Sequence, residues 1–193
     1  MFDHLLQLVI LFLVIFDPLA SAIVFLAATK NIKDAEKGKI ATLAILVACV
    51  VSFTVLIFGQ QILILFNTDI NDFRIAGGII LVILGVKMGL GQSITDTEKF
   101  NNGSARAIAS IIATPLLTGP AAITAIIINS FDYGLIETGL AVAIVLALTG
   151  IIFYTAAKIA KRIGMTTIQV TSTILGLITL AWGVTFIRAG LGI

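Results

Sequence analysis

The chain has 193 residues, of which 59% are hydrophobic and 11% charged, with a net charge of +2 and a mean hydropathy of +1.16. A soluble domain carries roughly 25% charge, so a soluble enzyme, a nucleic-acid binder and a disordered tail are all excluded. What remains is an all-α, polytopic membrane bundle whose partner is the lipid bilayer: transmembrane strands would be shorter and alternate polar with apolar, and the apolar runs here do not.

Six such runs follow one another, each long enough to cross a bilayer. The first, residues 5–29, imitates a cleavable leader because Ala20-Ser21-Ala22 follows an apolar stretch. Its leading flank holds Asp3 and His4 and no basic residue, and the hydrophobicity continues from Ile23 to Ala28, so it reads as a span. Of ten acidic residues only Asp17 lies deep in a run. A charged group there is costly and marks function by default. Asp followed by Pro is also how a helix starts, with Asp17 as N-cap and Pro18 at the first helical position. The two readings are compatible.

The second run, 40–66, holds Cys49, the only cysteine. With His4 as the only histidine, there is no disulfide framework and no Cys/His metal site. Gln60 and Gln61 here, and Trp182 later, read as interfacial anchors. The third run, 73–91, carries Gly77, Gly78, Gly85 and Gly89; the last two have GxxxG spacing, which predicts close packing inside the bundle, a dimer seam being the alternative. A polar link, 92–104, divides the chain into repeat one, about 1–95, and repeat two, about 104–193. Its Asn102-Gly103-Ser104 reads as a turn. The fourth run, 105–129, holds Pro115 and Pro120; the fifth and sixth are 135–159 and 166–187.

Basic residues set the orientation. Lys30, Lys33, Lys37, Lys39, Lys87, Lys99, Arg106, Lys158, Lys161 and Arg162 fall on one side, and only Arg74 and Arg188 on the other. Positive charge collects in cytoplasmic loops, which predicts a multi-pass cell-membrane protein with both termini outside. The same alternation supports six spans.

All three prolines lie inside runs one and four. An interior proline removes a hydrogen bond and clashes with the preceding turn, and in lipid the freed groups must be satisfied by protein or water. Both helices are therefore predicted to break near their middles. They occupy equivalent places, and the stretches around Pro18 and Pro120, and around Arg74 and Thr173, align at offsets of 102 and 99 residues. Three spans per half is an odd number, so the halves must be inverted. A 3+3 inverted repeat with interrupted helices is a transporter architecture, and the breaks mark the site.

At the second break Gly119-Pro120 starts a half-helix whose bare N-terminus, at Ala121 and Ala122, suits a carboxylate. Opposite it, Asp17 and the carbonyls near Ile15 and Phe16 suit an ammonium group or a small cation. The predicted substrate-binding residues are Asp17, Pro18, Ala20, Ser21, Thr114, Thr118, Gly119, Pro120, Ala121 and Ala122, with Asp17 also the coupling-ion residue. Thr114 and Thr118 bind substrate or satisfy freed carbonyls. Two poles among small residues fit a small zwitterion, an α-amino acid with a minimal side chain.

Three motifs in order, Phe16-Asp17-Pro18, Phe73-Arg74-Ile75-Ala76-Gly77-Gly78 and the stretch from Pro115 through Thr118-Gly119-Pro120 to Thr124, resemble the MarC family over essentially the whole chain. The resemblance implies a six-span inner-membrane protein associated with transport of small neutral amino acids such as alanine and glycine. Where the family often has Ile-Gly-Asn after Asp-Pro, this chain has Leu19-Ala20-Ser21.

With no nucleotide-binding motif, transport must draw on a proton or sodium gradient and needs no other cofactor. An exporter or facilitator for another small solute is the alternative, and it needs no carboxylate at Asp17. An intramembrane enzyme is disfavoured, because His4 is terminal and Asp17 has no buried carboxylate partner in the sequence.

Overall fold

A computed structural model describes residues 2–30, 32–91 and 117–193. The 92–104 link, the first part of run four, and with them Thr114 and Pro115, lie outside the described residues. Among the described residues six helices follow in order: α1 (Phe2–Phe16), α2 (Pro18–Ala28), α3 (Asp34–Leu65), α4 (Ile70–Gly89), α5 (Pro120–Ile163) and α6 (Met165–Leu191). The described residues are otherwise turns and links, so the fold is all-helical.

Four helices among the described residues are long and apolar enough to cross a membrane: His4–Ala28, Glu36–Leu65, Pro120–Ala157 and Thr166–Leu191. The first combines α1 and α2. The third runs through Gly134, whose φ of 83° and ψ of 166° are not helical, so α5 consists of two segments, 120–133 and 135–163. Gly164, between α5 and α6, has nearly the same conformation (φ 82°, ψ 148°). A side chain would be strained there, and glycine is not. Both glycines fall where the sequence places links. Run three forms α4, which is not among these four, because Asp72, Arg74 and Lys87 at its two ends shorten its apolar stretch.

Burial on α3 runs against the soluble pattern. Ala41, Ala44, Ala48 and Ser52, at helical spacing, are buried, whereas the larger Leu46, Val50, Ile57 and Phe58 are exposed. Lipid chains are as apolar as leucine, so large side chains gain little by turning inward, while small ones let helices approach. The small stripe belongs to the helix that packs on α5.

The most extensive contact joins α4 to α6. A Cβ built on Gly78 would sit 2.6 Å from the Gly183 carbonyl oxygen, and one on Gly183 would sit 2.7 Å from that of Gly78. Gly85 meets Gly176 at 2.6 Å in the same way, and Gly190 meets the Asn71 carbonyl at 2.6 Å. Each step of seven residues along one helix is matched by a step of seven back along the other, so the pair is antiparallel and in backbone contact. The glycines of run three therefore serve packing within the chain.

Candidate functional site

The first break is built by two consecutive residues. Pro18 has no N–H, so the Val14 carbonyl loses the donor that a continuous helix would give it. Asp17 takes the left-handed conformation (φ 36°, ψ 69°) and becomes the N-cap of α2. Its own N–H still donates to the Leu13 carbonyl at 3.1 Å, and its carbonyl accepts from Ser21 N–H at 2.9 Å. The Ala20 N–H, which would donate to Phe16 in an unbroken helix, donates to Asp17 Oδ1 at 3.2 Å instead. The Ser21 hydroxyl donates to the Phe16 carbonyl at 3.0 Å. The carboxylate and the hydroxyl thus replace backbone bonds that the break removes. Asp17 Oδ2 is left buried and without a hydrogen-bond partner.

The second helix start comes from α5. Ile123 N–H donates to the Gly119 carbonyl at 3.0 Å, which makes Gly119 the cap and Pro120 the first helical residue. The N–H groups of Ala121 and Ala122 then have no acceptor inside the helix. These two termini line one cavity of about 110 Å³, whose wall comprises Ile15, Phe16, Asp17, Ala20, Ser21, Ile80, Leu84, Leu117, Gly119, Pro120, Ala121 and Ala122. At about 30 Å³ per water, it has room for roughly three to four waters, or for a solute of a few heavy atoms. Its poles are a carboxylate and a helix N-terminus, and the surface between them is apolar.

The motifs that carry the expected family sit where this geometry needs them, and comparison with known proteins decides the point. The family model described as "MarC family integral membrane protein" matches residues 2–192. The chain belongs to the MarC family. Among similar proteins, a UPF0056 membrane protein of Buchnera aphidicola subsp. Baizongia pistaciae is 31% identical over 185 residues, covering 91% of this chain and 86% of the relative. One from Archaeoglobus fulgidus is 31% identical over 186 residues, covering 92% and 87%, and YhcE of Escherichia coli K12 is 29% identical over 184 residues, covering 91% and 86%. No solved structure matches. This MarC protein is therefore an integral membrane protein.

Seven of the ten predicted site residues, Asp17, Ala20, Ser21, Gly119, Pro120, Ala121 and Ala122, come together on the cavity wall. Pro18 and Thr118 are buried but not on the wall, and Thr114 lies outside the described residues. The expectation of an open Phe16 carbonyl needs correction, since Ser21 occupies it. Ile80 and Leu84, which close the cavity from α4, had no sequence signal, being two among many apolar residues.

Two further features of this MarC protein were not read from the sequence. Arg74, in the Phe-Arg-Ile-Ala-Gly-Gly motif, forms an ion pair with Asp132 on α5 and donates to Asn71 Oδ1 at 3.1 Å. The adjacent glycines face different partners: a Cβ on Gly77 would fall 1.7 Å from Thr124 Cγ2 of α5, whereas Gly78 meets α6. The motif thus docks α4 on two helices, one of them the helix that supplies the positive pole. Trp182 is half-buried and lines an outer cavity with Gln7, Leu8 and Asn129, which sets it apart from a simple interfacial anchor.

Proposed function

We propose that this MarC protein is a secondary transporter of small neutral amino acids of the glycine and alanine type. The observation that carries the reading is the pairing, across one small cavity, of the Asp17 carboxylate with the bare start of the Pro120 helix. The substrate carboxylate accepts from the N–H groups of Ala121 and Ala122, and its ammonium group pairs with Asp17. Ala20, Ser21, Ala121 and Ala122 leave space for hydrogen or methyl as the side chain. Backbone dipoles and one carboxylate recognise the zwitterion, and no covalent step is needed.

The transporter reading includes six spans in a cell membrane, arranged as a 3+3 inverted repeat with both termini outside. The antiparallel contact of α4 with α6, the third spans of the two halves, supports it, as do helix starts at Pro18 and Pro120. A proton or sodium gradient drives accumulation through Asp17.

The test is uptake of labelled glycine and alanine into proteoliposomes, with and without imposed proton or sodium gradients. Accumulation above the external concentration under one of the two gradients is expected. Equilibration without a gradient requirement would instead assign a facilitator, and no uptake of either amino acid would overturn the substrate class.

A further inference from the structure

The end of α2, the start of α3 and the last turns of α5 enclose a second cavity of about 260 Å³, more than twice the size of the one at the breaks, which is about 110 Å³. Its floor is deep in the bundle. Phe25 and Phe153 stack there with ring centroids 5.0 Å apart, and these two and Ala41 are 1 to 3% exposed. Its rim lies on the outer surface, where Tyr154 is 63% exposed and Ala157 is exposed as well. Tyr154 is fixed in place. Its ring lies against Gly38, where an added Cβ would come 3.5 Å from Cε1. Its hydroxyl donates to the Gly38 carbonyl at 3.3 Å and is hydrogen-bonded to Thr42.

The wall carries one charged side chain, Lys37, half-buried in the first turn of α3, and no carboxylate. The positive end of the α3 dipole adds to that charge. The surroundings have the same sign: from Phe25 to Ala41 and from Ile151 to Met165 there are seven basic residues and two acidic ones. Farther along the same helices the exposed residues include Leu46, Val50 and Ile151, an apolar surface that meets lipid chains. A cation beside an aromatic crevice, where a basic helix end meets a lipid-facing surface, selects an amphiphile with an anionic head. A small anion would gain from Lys37 but leave the apolar wall uncovered, and a neutral lipid would cover the wall but gain nothing from the charge.

We propose that this cavity is a binding site for the head of an anionic phospholipid. Its phosphate accepts from Lys37, whose ammonium has three donors and can share them with a protein neighbour. The glycerol and the first chain carbons cover Phe25, Leu26 and Tyr154. Basic pockets between transmembrane helices are suited to such heads, and tyrosine is favoured at this depth. The lipid ties α2, the second half of the broken span, to α3 and α5. The site is separate from the cavity at the breaks and does not depend on what the molecule transports. In the orientation expected from the basic residues this end faces the cytoplasmic leaflet, where anionic lipids are held.

The experiment measures dissociation constants of phosphatidylglycerol, phosphatidylcholine and glycerol 3-phosphate for the delipidated full chain in neutral detergent at physiological salt. Phosphatidylglycerol is expected to bind at least about tenfold more tightly than either of the others. Lys37→Gln should weaken it at least about tenfold, the size of a hydrogen bond to a charged group, and leave phosphatidylcholine unchanged; Lys37→Arg should restore it. Lys39→Gln removes the same charge from a side chain that does not line the cavity and should cost less than about twofold, because exposed charges are screened. Ala157→Leu fills the rim without changing charge; it should also weaken phosphatidylglycerol, and it tests the site even if Lys37→Gln fails to fold. Equal losses for Lys37→Gln and Lys39→Gln would reduce the effect to general surface charge and overturn the site. Equal affinity for the two phospholipids would overturn the anionic head. Glycerol 3-phosphate binding as tightly as the lipid would overturn the lipid in favour of a free phosphate ester, and unchanged affinity in Ala157→Leu would place the lipid elsewhere.

Discussion

Asp17 caps α2, and in the proposed transporter the same side chain carries the charge of the site. A non-glycine residue in the left-handed region costs on the order of 1–2 kcal/mol, and aspartate and asparagine bear it best because their short polar side chains bond locally; here Oδ1 caps Ala20. Asp17→Asn keeps both the conformation and the cap while removing the charge. It should stay folded and bind glycine weakly, but no longer accumulate it in proteoliposomes; wild-type accumulation would reduce Asp17 to a structural cap. Gly77 is constrained as tightly by its neighbour. Thr124 cannot swing away from an added Cβ without giving up the bond of its hydroxyl to the Pro120 carbonyl, 2.8 Å long. Gly77→Ala should therefore lower stability by about 1–3 kcal/mol, the usual cost of overpacking, read as a lower unfolding temperature in detergent. Uptake should fall with it, because the strain lands on the first turn of α5. Asp17 was legible in the sequence, as a lone carboxylate next to a proline in an apolar run. Lys37 was not: one lysine among the four between positions 30 and 39 carries no local signal, and only the packing of α2 and α5 against α3 puts a cavity beside it.

At the scale of helices, the proposed transporter reading makes the start of α5 the element that sets the size of the substrate. Ala121 and Ala122 present methyl groups to a cavity of about 110 Å³, and an isobutyl group at either position would take up much of it. Ala121→Leu or Ala122→Leu should abolish uptake of glycine and alanine while the protein still elutes as a folded species. Retained uptake would move the site away from this helix. The antiparallel contact between α4 and α6 is a second element-level constraint. At Gly78 an added Cβ meets the backbone carbonyl of Gly183, and no side-chain rotation relieves that, so Gly78→Ala should force the helices apart. The expected loss is again about 1–3 kcal/mol, without the direct effect on α5 that Gly77→Ala has. A further pair, Phe25 and Phe153, stacks with ring centroids 5.0 Å apart and lines a separate cavity of about 260 Å³ with Lys37, Gly38 and Tyr154. It joins α2, the lower half of the broken span, to the second segment of α5.

For the whole molecule the decisive quantity is orientation. In the orientation expected from ten basic residues against two, the links around Lys33 and Arg162 lie inside and the Asp132 end of α5 outside. With Cys49, the only native thiol, replaced by alanine, single cysteines at positions 33 and 162 should be shielded from an impermeant thiol reagent in intact cells. A cysteine beside Asp132 should react. The reverse pattern would invert the molecule and exchange the faces from which the site loads. The Arg74–Asp132 ion pair is partly exposed, and a surface pair of this kind contributes little by itself. Its role is to fix α4 against α5 at the level where the glycine motif begins.

The amino-acid sequence by itself determined what depends on local energies. Run length and hydropathy specified membrane helices. A proline without an N–H specified where the first span breaks, and an aspartate before it specified how the new helix is capped. Small residues after Pro18 and Pro120 specified a small cavity, and motif order specified the family. Which residues face one another was decided only in three dimensions: Gly77 against α5 but Gly78 against α6, Arg74 with Asp132, Ile80 and Leu84 over the cavity, and Lys37 on one wall with Phe25 and Tyr154. In a soluble protein hydrophobic periodicity would have announced much of this. Here lipid and bundle interior are equally apolar, so leucines turn outward on α3 while alanines turn inward, and the pattern that separates core from surface is absent. Helix faces are chosen by backbone approach and by the pairing of the few polar groups, and those energies exist only once the helices have met.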